Sequence, residues 1–182
     1  MAYDSALRKT IVFRGESINS ELSNDTWEWD GTEWTQIANT GPSPRYFHSM
    51  VYDSSNKEIL LFGGGDQTGF FADTWKMKHS IWHKAQDFGP GPLAGADMVF
   101  TGSRAILFGG YRVVNNQNVI NHDAWDWKGS LWSTGGWHHN IVPARRLFHS
   151  LAYDHHRNCT VLFGGFDGSF ALNDTWELTI TQ

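Results

Sequence analysis

The chain has 182 residues, 40% of them hydrophobic, and its ten Trp and twelve Phe supply enough apolar surface for the core of a single domain. A formal net charge of −5 without a basic cluster excludes a nucleic-acid footprint, and there is no apolar run of about 18 residues to cross a membrane as a helix. Nineteen Gly and the lack of long helical patterns point to an all-β chain with many turns.

Residues 2–4, 10–13, 25–29 and 33–37 predict four short strands, with Asp30-Gly31 as the hairpin turn between the last two. Residues 38–44 are polar with two prolines, a connection between units of one domain. The next unit is the clearest. An apolar run at 48–52 ends in the turn cluster Asp53-Ser54-Ser55-Asn56. A second run at 58–62 stops at Gly63-Gly64-Gly65, residues 73–77 alternate in character, and a fourth strand centres on Trp82. The third unit departs most: Asp97 opens its first strand in place of a His-Ser pair, and the loop after Gly110 is the longest of its kind. The fourth returns to the template at Arg146-Leu147-Phe148-His149-Ser150 and has no closing Trp strand. The units fall at about 1–37, 46–85, 96–134 and 147–182.

Four copies are in register. Asp25-Thr26-Trp27, Asp73-Thr74-Trp75, Asp123-Ala124-Trp125 and Asp174-Thr175-Trp176 mark one position, with a second Trp following at Trp34, Trp82 and Trp132. Phe-Gly-Gly stands at Phe62, Phe108 and Phe163 and degrades to Phe13-Arg14-Gly15 in the first copy. The spacing of 48 to 53 residues is close to a period of roughly 50. These residues resemble the kelch repeat, in the Trp-rich form frequent in bacterial proteins. The resemblance implies an all-β, kelch-type β-propeller with four blades of four antiparallel strands, the last three-stranded. Because kelch rings usually have six or seven blades, it also implies a partial ring, a self-standing four-bladed ring or half of a paired one.

Most conspicuous residues read as structural. Repetition of the Trp positions argues packing, and the Asp before each Thr-Trp is expected to accept backbone N–H groups at the strand start. His48 and His149 are repeat positions with a structural hydrogen bond expected. His138-His139 and His155-His156 fall on loops that open on opposite faces, so no metal site is expected, and Cys159 reads as a buried inert thiol. Kelch enzymes resembling galactose oxidase need a Tyr–Cys cross-link that nothing here supplies. Iron-dependent specifier proteins need Glu, Asp and His four residues apart, and Glu21 and Asp25 are followed by Trp29. No catalytic residue and no cofactor is therefore expected.

What remains is a loop rim formed by the inter-blade connections and the loops after each Gly-Gly. In kelch proteins that rim commonly binds the partner. Here it would present Arg45, Tyr46, Phe47, Phe70, Phe71, Tyr111, Arg112, Asn115 and Asn116, with His138, His139, Arg145, Arg146, Phe166 and Asp167. Exposed aromatic and Arg side chains are typical interface anchors, whereas Phe47, Phe71 and Phe148 have an alternative reading as loop packing. The expected function is non-catalytic recognition of a protein or glycan. The alternatives are a fragment of a larger, secreted kelch enzyme with its catalytic residues elsewhere, or a purely structural module. Open end blades invite homo-oligomers. The start lacks an apolar signal-peptide core, which reads as cytoplasmic if Met1 is the native start and as secreted if the chain is a piece of a longer one.

Overall fold

The computed structural model describes residues 1–15, 23–135 and 142–179. The chain divides into two compact units, Met1–Ala94 and Gly95–Gln182. Every described element is a strand.

Unit one holds two meanders. The first is β1 (Ala2–Asp4), β2 (Lys9–Phe13), β3 (Thr26–Trp29) and β4 (Trp34–Ala38), paired in sequence order. The second pairs β5 (Ser49–Asp53), β6 (Glu58–Phe62), β9 (Thr74–Lys78) and β10 (Ile81–Gln86). A two-stranded ribbon, β7 (Gly65–Asp66) with β8 (Gly69–Phe70), rises from the loop between β6 and β9. Unit two contains β11 (Ala94–Phe100), β12 (Ala105–Val114), β13 (Gln117–Ile120), β14 (Ala124–Trp127) and β15 (Trp132–Thr134) in one sheet. Its second sheet is β16 (Ser150–Asp154), β17 (Cys159–Phe166) and β18 (Ala171–Thr179), three-stranded as expected.

The turns are cut by aspartates. Asp4, Asp53 and Asp154 each accept the N–H groups two and three residues on at 2.9 to 3.0 Å, which closes the first hairpin of three blades. In those three blades the last turn residue is left-handed: Arg8, Lys57 and Asn158 have φ of 59°, 55° and 52°. The expected long loop after Gly110 is instead a hairpin. β12 continues through Val114 and pairs with β13 across Asn115-Asn116, whose φ values of 51° and 60° suit a tight two-residue turn.

Sheets pack face to face within each unit. In unit one Ala2, Ile11 and Phe13 of the first meander meet Met50, Tyr52, Ile59, Leu61, Met77 and Trp82 of the second. Phe13 contacts the edges of His48 and Trp82 at centroid distances of 5.4 and 5.8 Å, and Trp82 donates its indole N–H to Thr26 Oγ1 at 2.8 Å. In unit two Phe108 stands against His149 at 5.5 Å, and Asp97 accepts the Leu151 N–H at 2.7 Å, tying the two sheets together. Each buried ring contributes several kcal/mol at ~25 cal/mol per Å².

The Gly-Gly pairs pin the chain that follows their own blade. Gly64 donates its N–H to Leu93 O within unit one and Gly110 to Arg146 O within unit two, both at 2.8 Å. A Cβ on Gly63 would come within 2.4 Å of Leu93 O, and one on Gly109 within 2.5 Å of Arg146 O. Backbone approach, together with φ of 65° and 68°, excludes any side chain there.

Candidate functional site: the loop rim

The rim is built on a buried arginine. Arg45 is fully buried and grips Asp73 with both terminal nitrogens, at 2.6 and 3.1 Å. It also donates to Gly63 O at 2.9 Å and Ser43 O at 3.0 Å, and the Phe71 ring covers its guanidinium at 4.2 Å. Trp75 Nε1 donates to the same carboxylate at 2.7 Å. Unit two repeats the arrangement: Arg146 bonds Asp174 at 2.7 and 2.8 Å, Gly164 O at 2.8 Å and Ala144 O at 3.0 Å, with Trp176 Nε1 on Asp174 at 2.7 Å. Burial alone would raise the Asp73 carboxyl, and the bonds from Arg45 and Trp75 outweigh it, so Asp73 lies below the usual carboxylate range. The bond from Arg146 holds Asp174 down at about 2.

This corrects two expectations. Arg45 and Arg146 are not rim anchors, because their guanidiniums are engaged inside the fold. At Asp73 and Asp174 the Asp before the Thr-Trp takes an arginine and an indole, where backbone N–H groups were expected. The cation need not come from the registered position: Asp25 is met by Arg14 at 3.8 Å and Asp123 by Arg112 at 3.7 Å, while Leu93 stands where blade three would carry the arginine.

Beyond the clamp the backbone is pinned again. Tyr46 exchanges two main-chain hydrogen bonds with Gly65 at 2.9 and 3.0 Å, and Leu147 does the same with Phe166 at 3.0 and 2.9 Å. The chain must then reverse before β5 or β16 begins. The next residue, Phe47 or Phe148, does so in the left-handed region, at φ 57° and 56°. Gly95 holds the same repeat position in blade three at φ 66°. A bulky residue in this conformation costs of order 1–3 kcal/mol, and here it leaves both rings about half exposed on the rim. The Phe148 ring is seated on Gly95, where an added Cβ would be 3.0 Å away.

The other expected residues divide by unit. In unit one the Tyr46 hydroxyl donates to Asp66 O at 2.8 Å and the Phe70 ring lies on Gly65, so both act in loop packing, as does Phe71 over Arg45. In unit two Tyr111 and Arg112 lie half-buried on β12, and Asn115 and Asn116 form the hairpin tip. Arg145 and Phe166 are exposed, and Asp167 accepts the Ser169 and Phe170 N–H groups at 2.7 Å each. Those bonds keep the Asp167 carboxyl below its ordinary range. Arg145, Asp167, Gly168 and Ser169 face Asn118, Val119 and Ile120 across an open cleft of about 210 Å³. Asn118 and Ser169 carry no signal in the sequence because they sit outside the repeat; Phe148 was legible by its register with Phe47. His138 and His139 lie outside the described residues.

His48 keeps the expected structural hydrogen bond, to the Arg45 main chain, whereas neither nitrogen of His149 has a partner among the described residues. Their rings serve as packing against Phe13 and Phe108. Cys159 is buried. Among the described residues no three His, Cys, Asp or Glu side chains gather as a metal site. On the first-hairpin side of unit one a narrower cleft of about 180 Å³ lies over Ile11, Ile37, Ile59 and Met77, smaller than the ~300 Å³ at which small-molecule sites begin.

Short antiparallel meanders repeated in register, pinned at Gly-Gly and braced by an Arg–Asp–Trp clamp, define a kelch-repeat β-propeller with two blades in each unit. The chain belongs to the family described as the KLHDC2/KLHL20/DRC7 Kelch-repeats domain, whose sequence model matches residues 2–182. No curated protein matches it. Kelch propellers are commonly protein-binding scaffolds and typically non-catalytic.

Proposed function

We propose that the chain is a non-catalytic recognition module that binds a protein through the loop rim. The observation that carries this reading is the strained, outward display of Phe47 and Phe148 at one repeat position. A fold that only needed to turn there has glycine available, and blade three uses it at Gly95. With Arg45, Arg146 and Arg112 engaged by carboxylates, the described residues of the rim in unit two offer apolar rings beside one exposed, unengaged arginine, Arg145, which suits an apolar protein segment more than a strongly acidic one. A glycan is the second reading, favoured by the polar cleft of Asn118, Asp167 and Ser169.

Displayed peptide libraries and a glycan array test both with the wild type, Phe47→Ala and Phe148→Ala. Ligands that weaken by about tenfold or more in an alanine variant with unchanged melting support the rim. Ligands bound equally by all three proteins refute it, and the array that yields them distinguishes protein from glycan.

A further inference from the structure

Two sheet faces carry side chains that the same repeat positions bury elsewhere. The first is the outer face of β16–β18. In unit one Ala2, Ile11, Phe13 and Thr26 form the face that the following blade covers, and Phe13 is 3% exposed. The equivalent positions in blade four are Ala152, Val161, Phe163 and Thr175. Ala152 and Thr175 are exposed, Val161 is half-buried, and Phe163 is 55% exposed. The second is the face of β1–β4 that looks away from blade two. Blade two presents Tyr52 and Trp82 to the blade before it, at 8% and 7% exposure. Their equivalents Tyr3 and Trp34 are 55% and 49% exposed, and Trp34 leans on Trp29 at a ring distance of 5.4 Å.

The two faces are the two halves of an interface that unit one already contains. There Trp82 donates to Thr26 Oγ1 and sets its ring across the edge of Phe13. Trp34 carries the same donor and ring; Thr175 and Phe163 supply the same acceptor and edge. We propose that these faces bind each other between copies of this chain. Blade one of one copy docks on blade four of the next, with the Trp34 indole N–H on Thr175 Oγ1, the Trp34 ring against Phe163, and Tyr3 over Val161 and Ala152. The contact is heterologous, so it closes when two or more copies complete a ring and otherwise extends as a chain of copies. The occupant is a second copy because a blade face of this chain supplies the tryptophan that the repeat places opposite Thr175. None of the rim residues takes part, so the proposal stands or falls separately from ligand binding there.

Light scattering of the intact chain across a dilution series tests it. The expected mass at micromolar concentration is at least twice 20.6 kDa, falling toward 20.6 kDa on dilution. Trp34→Ala and Thr175→Arg, both at exposed positions, are expected to weaken association by about tenfold or more while circular dichroism stays unchanged. Mixing Trp34→Cys with Thr175→Cys protein is expected to give a covalently linked pair with a short bis-maleimide, which neither variant gives alone. A particle that remains at 20.6 kDa at all concentrations overturns the proposal. So does an oligomer that survives both surface variants, or a chain carrying both cysteines that closes only on itself.

Discussion

Replacing Arg45 by Met removes a buried cation and leaves its neighbours intact. Four hydrogen bonds go, to Ser43 O, Gly63 O and both oxygens of Asp73. The carboxylate left behind is only 13% exposed and keeps just the Trp75 indole. Stranding one partner of a buried pair typically costs about 3–5 kcal/mol, and this site belongs in that range. Adding Asp73→Leu removes the uncompensated charge, so the double variant is expected to recover about half of the loss or more. The matching Arg146→Met is expected to cost less, because Asp174 is 39% exposed and water solvates it once the guanidinium is gone. Urea denaturation at neutral pH, followed by Trp fluorescence, measures all three variants. A loss below about 1 kcal/mol for Arg45→Met, or a double variant no more stable than the single, would refute the clamp as an energetic centre of the rim.

Gly109→Val places a branched side chain at φ 68° within 2.5 Å of Arg146 O and 2.8 Å of His149 Cε1, and a loss of about 2 kcal/mol or more is expected in thermal melting. Burial, with the nearby Arg146 charge, lowers His149 to about 4; burial, the amino terminus and Arg45 lower His48 to about 3. An unfolded His protonates near 6.5, so the unfolded chain binds more protons below that pH, and stability is lost as pH falls from about 6.5 toward about 4. For His149 the drop from 6.5 to about 4 corresponds to about 3 kcal/mol, and His149→Leu is expected to flatten that stretch of the pH–stability curve measured by urea titration. Asn116→Val is expected to loosen the β12–β13 hairpin, because a β-branched residue resists φ near 60°, and faster amide exchange at Arg112 and Val119 reads it out.

The blades were legible because most of their punctuation recurs: an Asp that closes the first hairpin in three of them, a Gly-Gly after the second strand in three, and a Trp in the third strand of all four. Those signals act over a few residues. The arginine clamp was not legible, because its partners stand 28 residues apart and two of the four aspartates find an arginine at an unregistered place. Counting Arg45 and Arg146 as rim anchors followed from their loop position, which says nothing about which way a guanidinium turns. The hairpin after Gly110 was visible in principle, since β-branched residues flank Asn115-Asn116 on both sides. Reading every tryptophan as core failed at Trp34, because whether a blade face is covered depends on the blade beside it.

The way the blades of unit one are joined also sets how the protein answers to tension. Inside each sheet the strands are laced by ladders of main-chain hydrogen bonds, whereas its two sheets meet chiefly through rings, aliphatic groups and the bond from Trp82 to Thr26. Side-chain contacts of that kind yield over a few ångströms. A pull on the chain ends is therefore expected to separate neighbouring blades before any meander unravels. Each freed meander then unzips strand by strand, the hydrogen bonds breaking one after another instead of sharing the load. Releasing residues 49–86 of the second blade lengthens the chain by up to ~130 Å at about 3.4 Å per residue. A kelch blade of this build is a compliant mechanical element, one that lengthens in blade-sized steps at low force.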